Sequence, residues 1–142
     1  MPSNSIFWKA QRGEIPRPGI AETLKAKTTQ FNEAEKTLEA TFTIEPRFTN
    51  SAGYVQGGIL TAMLDAAMGP CNGMVLDDNQ FAPTLNINVS FIKPALPGKF
   101  TGKAKVIHQG TNICFLAGEL FDQNEKLVAR ATATAKIVTF SS

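Results

Sequence analysis

The stretch that decides the fold is residues 53–65, GYVQGGILTAMLD, in which the glycine pair Gly57-Gly58 precedes a run of apolar and small residues. Apolar and small side chains after the pair recur at spacings of three and four, the pattern of a helix buried around most of its circumference. They are Leu60, Met63, Leu64, Ala67, Met68 and Cys71. Pro70 predicts that this helix kinks or stops between Ala66 and Pro70, because proline lacks the backbone donor.

Asp65 is the only charged residue between Gln56 and Val75. It shares a stripe of small residues with Gly58, Thr61 and Gly69, where another chain segment or a ligand can come close. Burial disfavours the charged form of a carboxylate, which suits Asp65 to work as a base or nucleophile near neutral pH. An aspartate in a helix also often bonds a neighbouring backbone group or faces solvent, and this stretch alone leaves both interpretations open.

The composition indicates one domain with a substantial core, since the 142 residues are 43% hydrophobic. The net charge of +2 is spread along the chain, which excludes a nucleic-acid-binding stripe.

Cys71 and Cys114 stand in apolar contexts and predict two reduced thiols, although a disulfide between them stays open. No membrane-spanning stretch or signal peptide is apparent, so we expect a soluble, cytoplasmic protein. His108, the only histidine, has no metal partner nearby and is interpreted as structural.

The order of elements predicts an α+β fold. Residues 1–20 are an N-terminal arm with a short helix from Ser5 to Arg12, and residues 21–142 are the domain. Strands are predicted at Thr23–Gln30, Thr37–Glu45, Ala82–Lys93, Lys99–Gln109, Asn112–Phe121 and Lys126–Phe140. The first two form a hairpin and the last four a meander, because the connectors are short. A curved antiparallel sheet of about six strands then wraps around the one long helix.

Strict alternation within the third predicted strand gives it one half-buried face. The residues on that face are Leu85, Ile87, Val89 and Phe91.

Several spaced motifs together resemble the hotdog-fold thioesterases of the phenylacetate-degradation (PaaI-like) type. They are NSAG at 50–53, the glycine pair with Asp65, NINVSFIKPA at 86–95, VIHQG at 106–110 and LVARATAT at 127–134. The resemblance runs from about Thr37 to Val138. It implies a hotdog fold and an acyl-CoA thioesterase whose active site lies between two subunits, with no cofactor.

The resemblance also implies roles for particular residues. The amide of Gly57 or Gly58 would hold the oxyanion, and Asp65 would act as general base or as nucleophile. By position, Thr84 would hold the attacking water, and Asn50 would bind the substrate or the leaving thiol. Thr84 can equally be an ordinary strand threonine, and Asn50 can merely shape its loop.

Two departures from the family pattern affect the expected site. The family usually has histidine before the glycine pair, whereas this chain has Gln56, which can position a group but cannot titrate. Relatives often carry a basic residue after Gly110, where this chain has Thr111. The remaining candidates for the phosphates of CoA are Lys93, Lys99 and Arg130. Those for the acyl pocket are Gly58, Met68 and Phe81, with Phe7, Trp8 and Met63 as further residues that set its depth.

Three other functions compete with a thioesterase. A purely structural or interaction domain has no positive feature in the sequence. A non-catalytic acyl-thioester sensor would keep the groove, but it gains nothing from a buried Asp65. A dehydratase of the same fold needs a histidine near the helix, which neither Gln56 nor His108 supplies. Open sheet edges predict a homodimer at least, and the resemblance suggests a homotetramer.

Overall fold

The computed structural model describes residues 4–140, which form a six-stranded antiparallel sheet wrapped around one 17-residue helix. Residues 1–3 of the predicted arm and 141–142 of the predicted domain lie outside the described residues. The helices are α1 (Ile6–Gln11), α2 (Gly19–Thr23) and α3 (Gly57–Gly73). The strands are β1 (Lys27–Asn32), β2 (Thr37–Ile44), β3 (Gln80–Phe81), β4 (Thr84–Phe91), β5 (Gly98–Gln109), β6 (Ile113–Phe121), β7 (Leu127–Lys136) and β8 (Val138–Thr139).

Helix α3 is the centre of the core, as its apolar spacing predicts. All six of the apolar and small side chains named above are buried against the sheet. Of the two predicted effects of Pro70, a stop is wrong, because α3 continues through Pro70 to Gly73. Pro70 stands in the last turn, where its missing donor removes one hydrogen bond. Its carbonyl still accepts a bond from the Met74 amide, which closes the helix end.

The N-terminal arm packs against the far end of α3, opposite the glycine pair. The Ser5 hydroxyl donates to the Gly73 carbonyl, and the indole N–H of Trp8 donates to the Met74 carbonyl, both over 3.3 Å. The rings of Phe7 and Trp8 meet edge to face, with centroids 4.9 Å apart. These contacts add side-chain donors to carbonyls at the C-terminal end of α3, so the arm caps the helix.

The prediction that the last four strands form a meander is wrong for β4. The order in the sheet is β1-β2-β5-β6-β7-β4. Of the strands β4 to β7, only β5, β6 and β7 therefore lie next to each other in chain order. The connector at 92–97 instead crosses the start of α3, where the Val55 amide donates to the Ala95 carbonyl over 2.8 Å. A short connector therefore joins β4 and β5, which lie three places apart in the sheet, because the sheet curves around the helix.

Three predicted strand boundaries are also wrong. The stretch Gly19–Thr23 is helical, because Pro18 precedes it as the N-cap in an extended conformation, and β1 begins only at Lys27. The third predicted strand, Ala82–Lys93, is shortened to β4 and preceded by the unpredicted β3, and the last predicted strand is split into β7 and β8. The short strands β3 and β8 pair with each other in a separate two-stranded sheet.

Candidate active site

Asp65 and Thr84 are held together by a hydrogen bond between helix and sheet. The Thr84 hydroxyl donates to Oδ1 of Asp65 over 3.0 Å. Asp65 is exposed in the single chain, so the prediction of a buried, unpaired carboxylate is wrong. The stripe of small residues leaves this side of α3 uncovered. The carboxylate is thus fixed in direction and open to a second molecule.

A β-bulge in strand β4 directs Thr84 toward the helix. Thr84 pairs with Ala135 and Asn86 with Thr134, so β4 advances two residues where β7 advances one. One extra residue reverses the alternation of side chains. Thr84 consequently lies on the same face as Ile87, while Leu85 is 59% exposed. The prediction that Leu85 shares the half-buried face is therefore wrong.

The start of α3 presents two unpaired amides. Gln56 is the N-cap, and its carbonyl accepts bonds from the amides of Ile59 and Leu60. The amides of Gly57 and Gly58 come before the first amides that have an acceptor within the helix. They carry the partial positive charge of the helix start. The Gln56 side chain makes no capping bond and is exposed. This helix start can therefore donate to a carbonyl oxygen without displacing a protein group.

The helix start and the carboxylate are separated along α3. Asp65 follows Gly57 by eight residues, which corresponds to about 12 Å of helix rise. A base and an oxyanion donor that act on one carbonyl must both lie within hydrogen-bonding reach of it. The two groups of one chain are too far apart for that.

Asn50 shapes the loop that leads into α3. Its Oδ1 accepts bonds from the amides of Ala52 and Tyr54, at 3.0 and 3.2 Å. Its backbone amide donates to the Tyr54 carbonyl, and Gly53 follows with a positive φ of 87°. These bonds form an Asx-type turn, the loop-shaping role that the sequence leaves open for Asn50.

Lys93 lines a cavity of about 240 Å³ beside the entry to α3. The other residues around the cavity are Tyr54, Pro94, Ala95, Leu96, Lys99, Asp122, Gln123 and Asn124. Nζ of Lys93 forms an ion pair with Asp122 at 3.2 Å. The backbone amide of Lys126, followed by Lys93, lowers the pKa of Asp122. Within residues 4–140, Lys99 has no ion pair.

Three other predicted binding residues lie apart from the Asp65–Thr84 pair. Arg130 is on the outer face of β7, since its neighbours Ala129 and Ala131 are buried toward the helix. Met68 is 2% exposed and fills the core. Phe81 stacks on Phe140, with ring centroids 4.8 Å apart. Phe81 itself is half-buried.

The cysteines and the histidine do not form a second reactive centre. Cys71 and Cys114 are both free and buried, and burial raises the pKa of the Cys71 thiol to about 12 and also raises that of Cys114. His108 is exposed on β5, with its ring 6.1 Å from that of Phe115. In the described part of the chain, no three His, Cys, Asp or Glu side chains form a metal-binding group. No helix there is long and apolar enough to span a membrane.

The chain belongs to the Thioesterase superfamily, whose family model matches residues 52–129. A phenylacetic acid degradation-related protein of Ralstonia eutropha is 39% identical and superposes with a TM-score of 0.88, over 92% of this chain and 98% of that one. The fold is therefore the hotdog thioesterase fold.

Two further relatives are more distant. The 1,4-dihydroxy-2-naphthoyl-CoA hydrolase of Escherichia coli is 24% identical over 73% of this chain and 76% of its own length. The PaaI protein of E. coli, from its phenylacetic acid degradation operon, is 20% identical and shares the fold with a TM-score of 0.82, over 95% of each chain.

Phe91 is a residue of the site region that the sequence did not single out. Its ring lies against the helix start, because a methyl group on Gly57 would come within 3.2 Å of Cζ of Phe91. Alternation predicted that Phe91 faces inward. It did not predict which part of α3 the ring would meet, since that depends on the crossing of strand and helix.

Proposed function

We propose that the protein hydrolyses acyl-CoA or aryl-acyl-CoA thioesters to the free acid and CoA. The observation that carries this proposal is the exposed carboxylate of Asp65, oriented by Thr84, on a helix that begins with two unpaired glycine amides. Membership of the Thioesterase superfamily supports it. So does the likeness to a hydrolase of a naphthoyl-CoA.

The proposed chemistry begins with the thioester oxygen bound to the amide of Gly57 or Gly58. Asp65 takes a proton from water, and the hydroxide attacks the carbonyl carbon while negative charge develops on the oxygen at the helix start. The C–S bond then breaks, and the thiolate of CoA takes up the proton. Direct attack by Asp65 would instead give an anhydride that water opens, and both routes use the same groups. Thr84 orients the carboxylate, and Asn50 and Gln56 shape the approach to the helix start.

We propose that two chains complete each site, since one chain does not bring the two groups together. Strand β4 has no strand partner on its outer edge within residues 4–140, and its register is regular from Asn86 to Phe91. The opposite edge strand, β1, has a bulge between Thr28 and Gln30 that disfavours pairing. Pairing of two β4 strands would bring the Asp65 of one chain toward the helix start of the other. Such a dimer can associate further into a tetramer.

The test is release of free thiol from a panel of short, medium, long and aromatic acyl-CoAs. We expect turnover of at least one class, which would also identify the acyl group. Binding of acyl-CoA without turnover would overturn the proposal in favour of a sensor in which the unengaged Gln56 replaces a titrating group.

Two free, buried thiols suit the reducing cytoplasm, where we place this reaction.

We further predict that the cavity beside the helix entry binds the phosphates of CoA. Lys99 is the cation there without a carboxylate partner, so Lys99→Glu should raise KM for acyl-CoA about fivefold at low salt, as expected for exposed charges. The KM for an acyl-pantetheine, which lacks the nucleotide phosphates, should stay unchanged.

Lys105→Glu is the matched control, because Lys105 is exposed on the same face of β5 as Lys99 but lies six residues further along the strand and does not line the cavity. An equal rise in KM for both substrates with Lys99→Glu, or the same effect from Lys105→Glu, would contradict a phosphate contact.

A further inference from the structure

The aromatic ring of Phe91 is the side chain that a Cβ on Gly57, the first residue of α3, would meet. A methyl group on Gly57 would meet three atoms of this ring at 3.2 to 3.7 Å, whereas one on Gly58 would meet nothing within 4 Å. Despite this contact, Phe91 is 55% exposed. One side of the ring therefore packs on the helix start, and the rest of its surface is free to contact a bound molecule.

We propose that Phe91 is the residue that selects the acyl group by its shape next to the thioester carbonyl. This inference rests on the proposed function. A carbonyl oxygen that accepts a bond from the Gly57 amide lies about 3 Å from that nitrogen. We place the acyl carbon attached to the carbonyl beside the ring, because the ring lies 3.2 Å from the Cβ position of the residue whose amide binds the oxygen. A branch at that carbon meets the ring, while a straight or flat acyl group passes along it.

The position of the charged groups favours the acyl group, and not the phosphates of CoA, on the side of Phe91. Ile87 and Val89 precede Phe91 on the same face of β4, and both pack against the core. Beyond Phe91 lie the charged groups of the cavity, which are the Lys93–Asp122 ion pair and Lys99. An apolar acyl chain matches the apolar face of β4, and a phosphorylated nucleotide matches the charged cavity.

The ratio of kcat/KM for two isomeric substrates, 2-methylpropanoyl-CoA and butanoyl-CoA, tests this inference. Both acyl groups have the same number of carbons, so the ratio reports branching next to the carbonyl and little else. Phe91→Ala should raise the branched-to-straight ratio about tenfold, the lower end of what one methyl group decides in a pocket. Phe91→Leu keeps an apolar side chain for folding and should raise the ratio by a smaller factor.

Leu85→Ala is the control, because Leu85 is an equally exposed apolar residue of β4 that the bulge directs away from α3. It should leave the ratio unchanged. If the Phe91 variants change kcat/KM for both substrates equally, Phe91 has only a structural role and the inference fails. Thiol release by the native protein with an unchanged ratio in the variants overturns this inference alone. No release from any acyl-CoA by the native protein overturns the proposed function as well.

Discussion

Asp65→Asn should lower the rate of thiol release from acyl-CoA at least about a hundredfold, the contribution expected of a general base. Asparagine keeps the oxygen that accepts the Thr84 hydrogen bond but has no basic lone pair to take a proton from water. Because Asp65 is exposed, the substitution should change the free energy of unfolding by no more than about 0.5 kcal/mol. Steady-state thiol release and a thermal melt measure the two quantities.

Asp77→Asn is the matched control, since Asp77 is also exposed but lies in the turn after α3. It should retain full activity. Loss of activity in both variants would point to a general effect of charge, and full activity in Asp65→Asn would remove Asp65 from the mechanism.

Gly57→Pro should lower kcat by about a hundredfold to a thousandfold, as expected for loss of one oxyanion donor. Proline lacks the amide proton, yet it is well tolerated at the first position of a helix. The residue before a proline must be extended, and Gln56 already has φ −60° and ψ 138°. The substitution therefore removes the donor with little change to the fold.

Gly57→Ala separates loss of the donor from steric effects. It adds the same Cβ beside the movable ring of Phe91 but keeps the amide proton. We expect it to retain most of the kcat that Gly57→Pro loses. An equal loss in the two variants would mean that bulk at this position, and not the missing donor, causes the effect. Full activity of Gly57→Pro would assign the oxyanion to another donor.

Much of the fold follows from local patterns in the sequence. The spacing from Leu60 to Cys71 predicts the buried helix, and the strand predicted at Thr37–Glu45 is confirmed as β2. The pairing of β4 with β7 does not follow from such patterns. Strand pairing depends on the curvature of the whole sheet, and a short connector predicts a neighbouring strand only as a tendency.

The candidate site is predicted in its residue types but not in its geometry. The sequence singles out Asp65 and Thr84, and the structure places their side chains 3.0 Å apart. Their contact depends on one extra residue in β4. Alternation alone predicted Leu85 on the face of β4 that Thr84 occupies. Arg130 was selected for its charge, but the alternation of side chains along β7 places it on the outer face of the sheet. The register of each strand therefore decides which of the candidate residues can share a site.

The central claim is that each active site takes its oxyanion donor from one chain and its carboxylate from another. Mixing of Asp65→Asn and Gly57→Pro proteins after dissociation and reassociation tests it directly. In a randomly reassembled dimer population, half of the dimers contain both variants and each of these has one intact site, so activity should recover to about a quarter of native. If mixed dimers form and activity stays at the level of the separate variants, the two groups do not act across the subunits and the account is wrong.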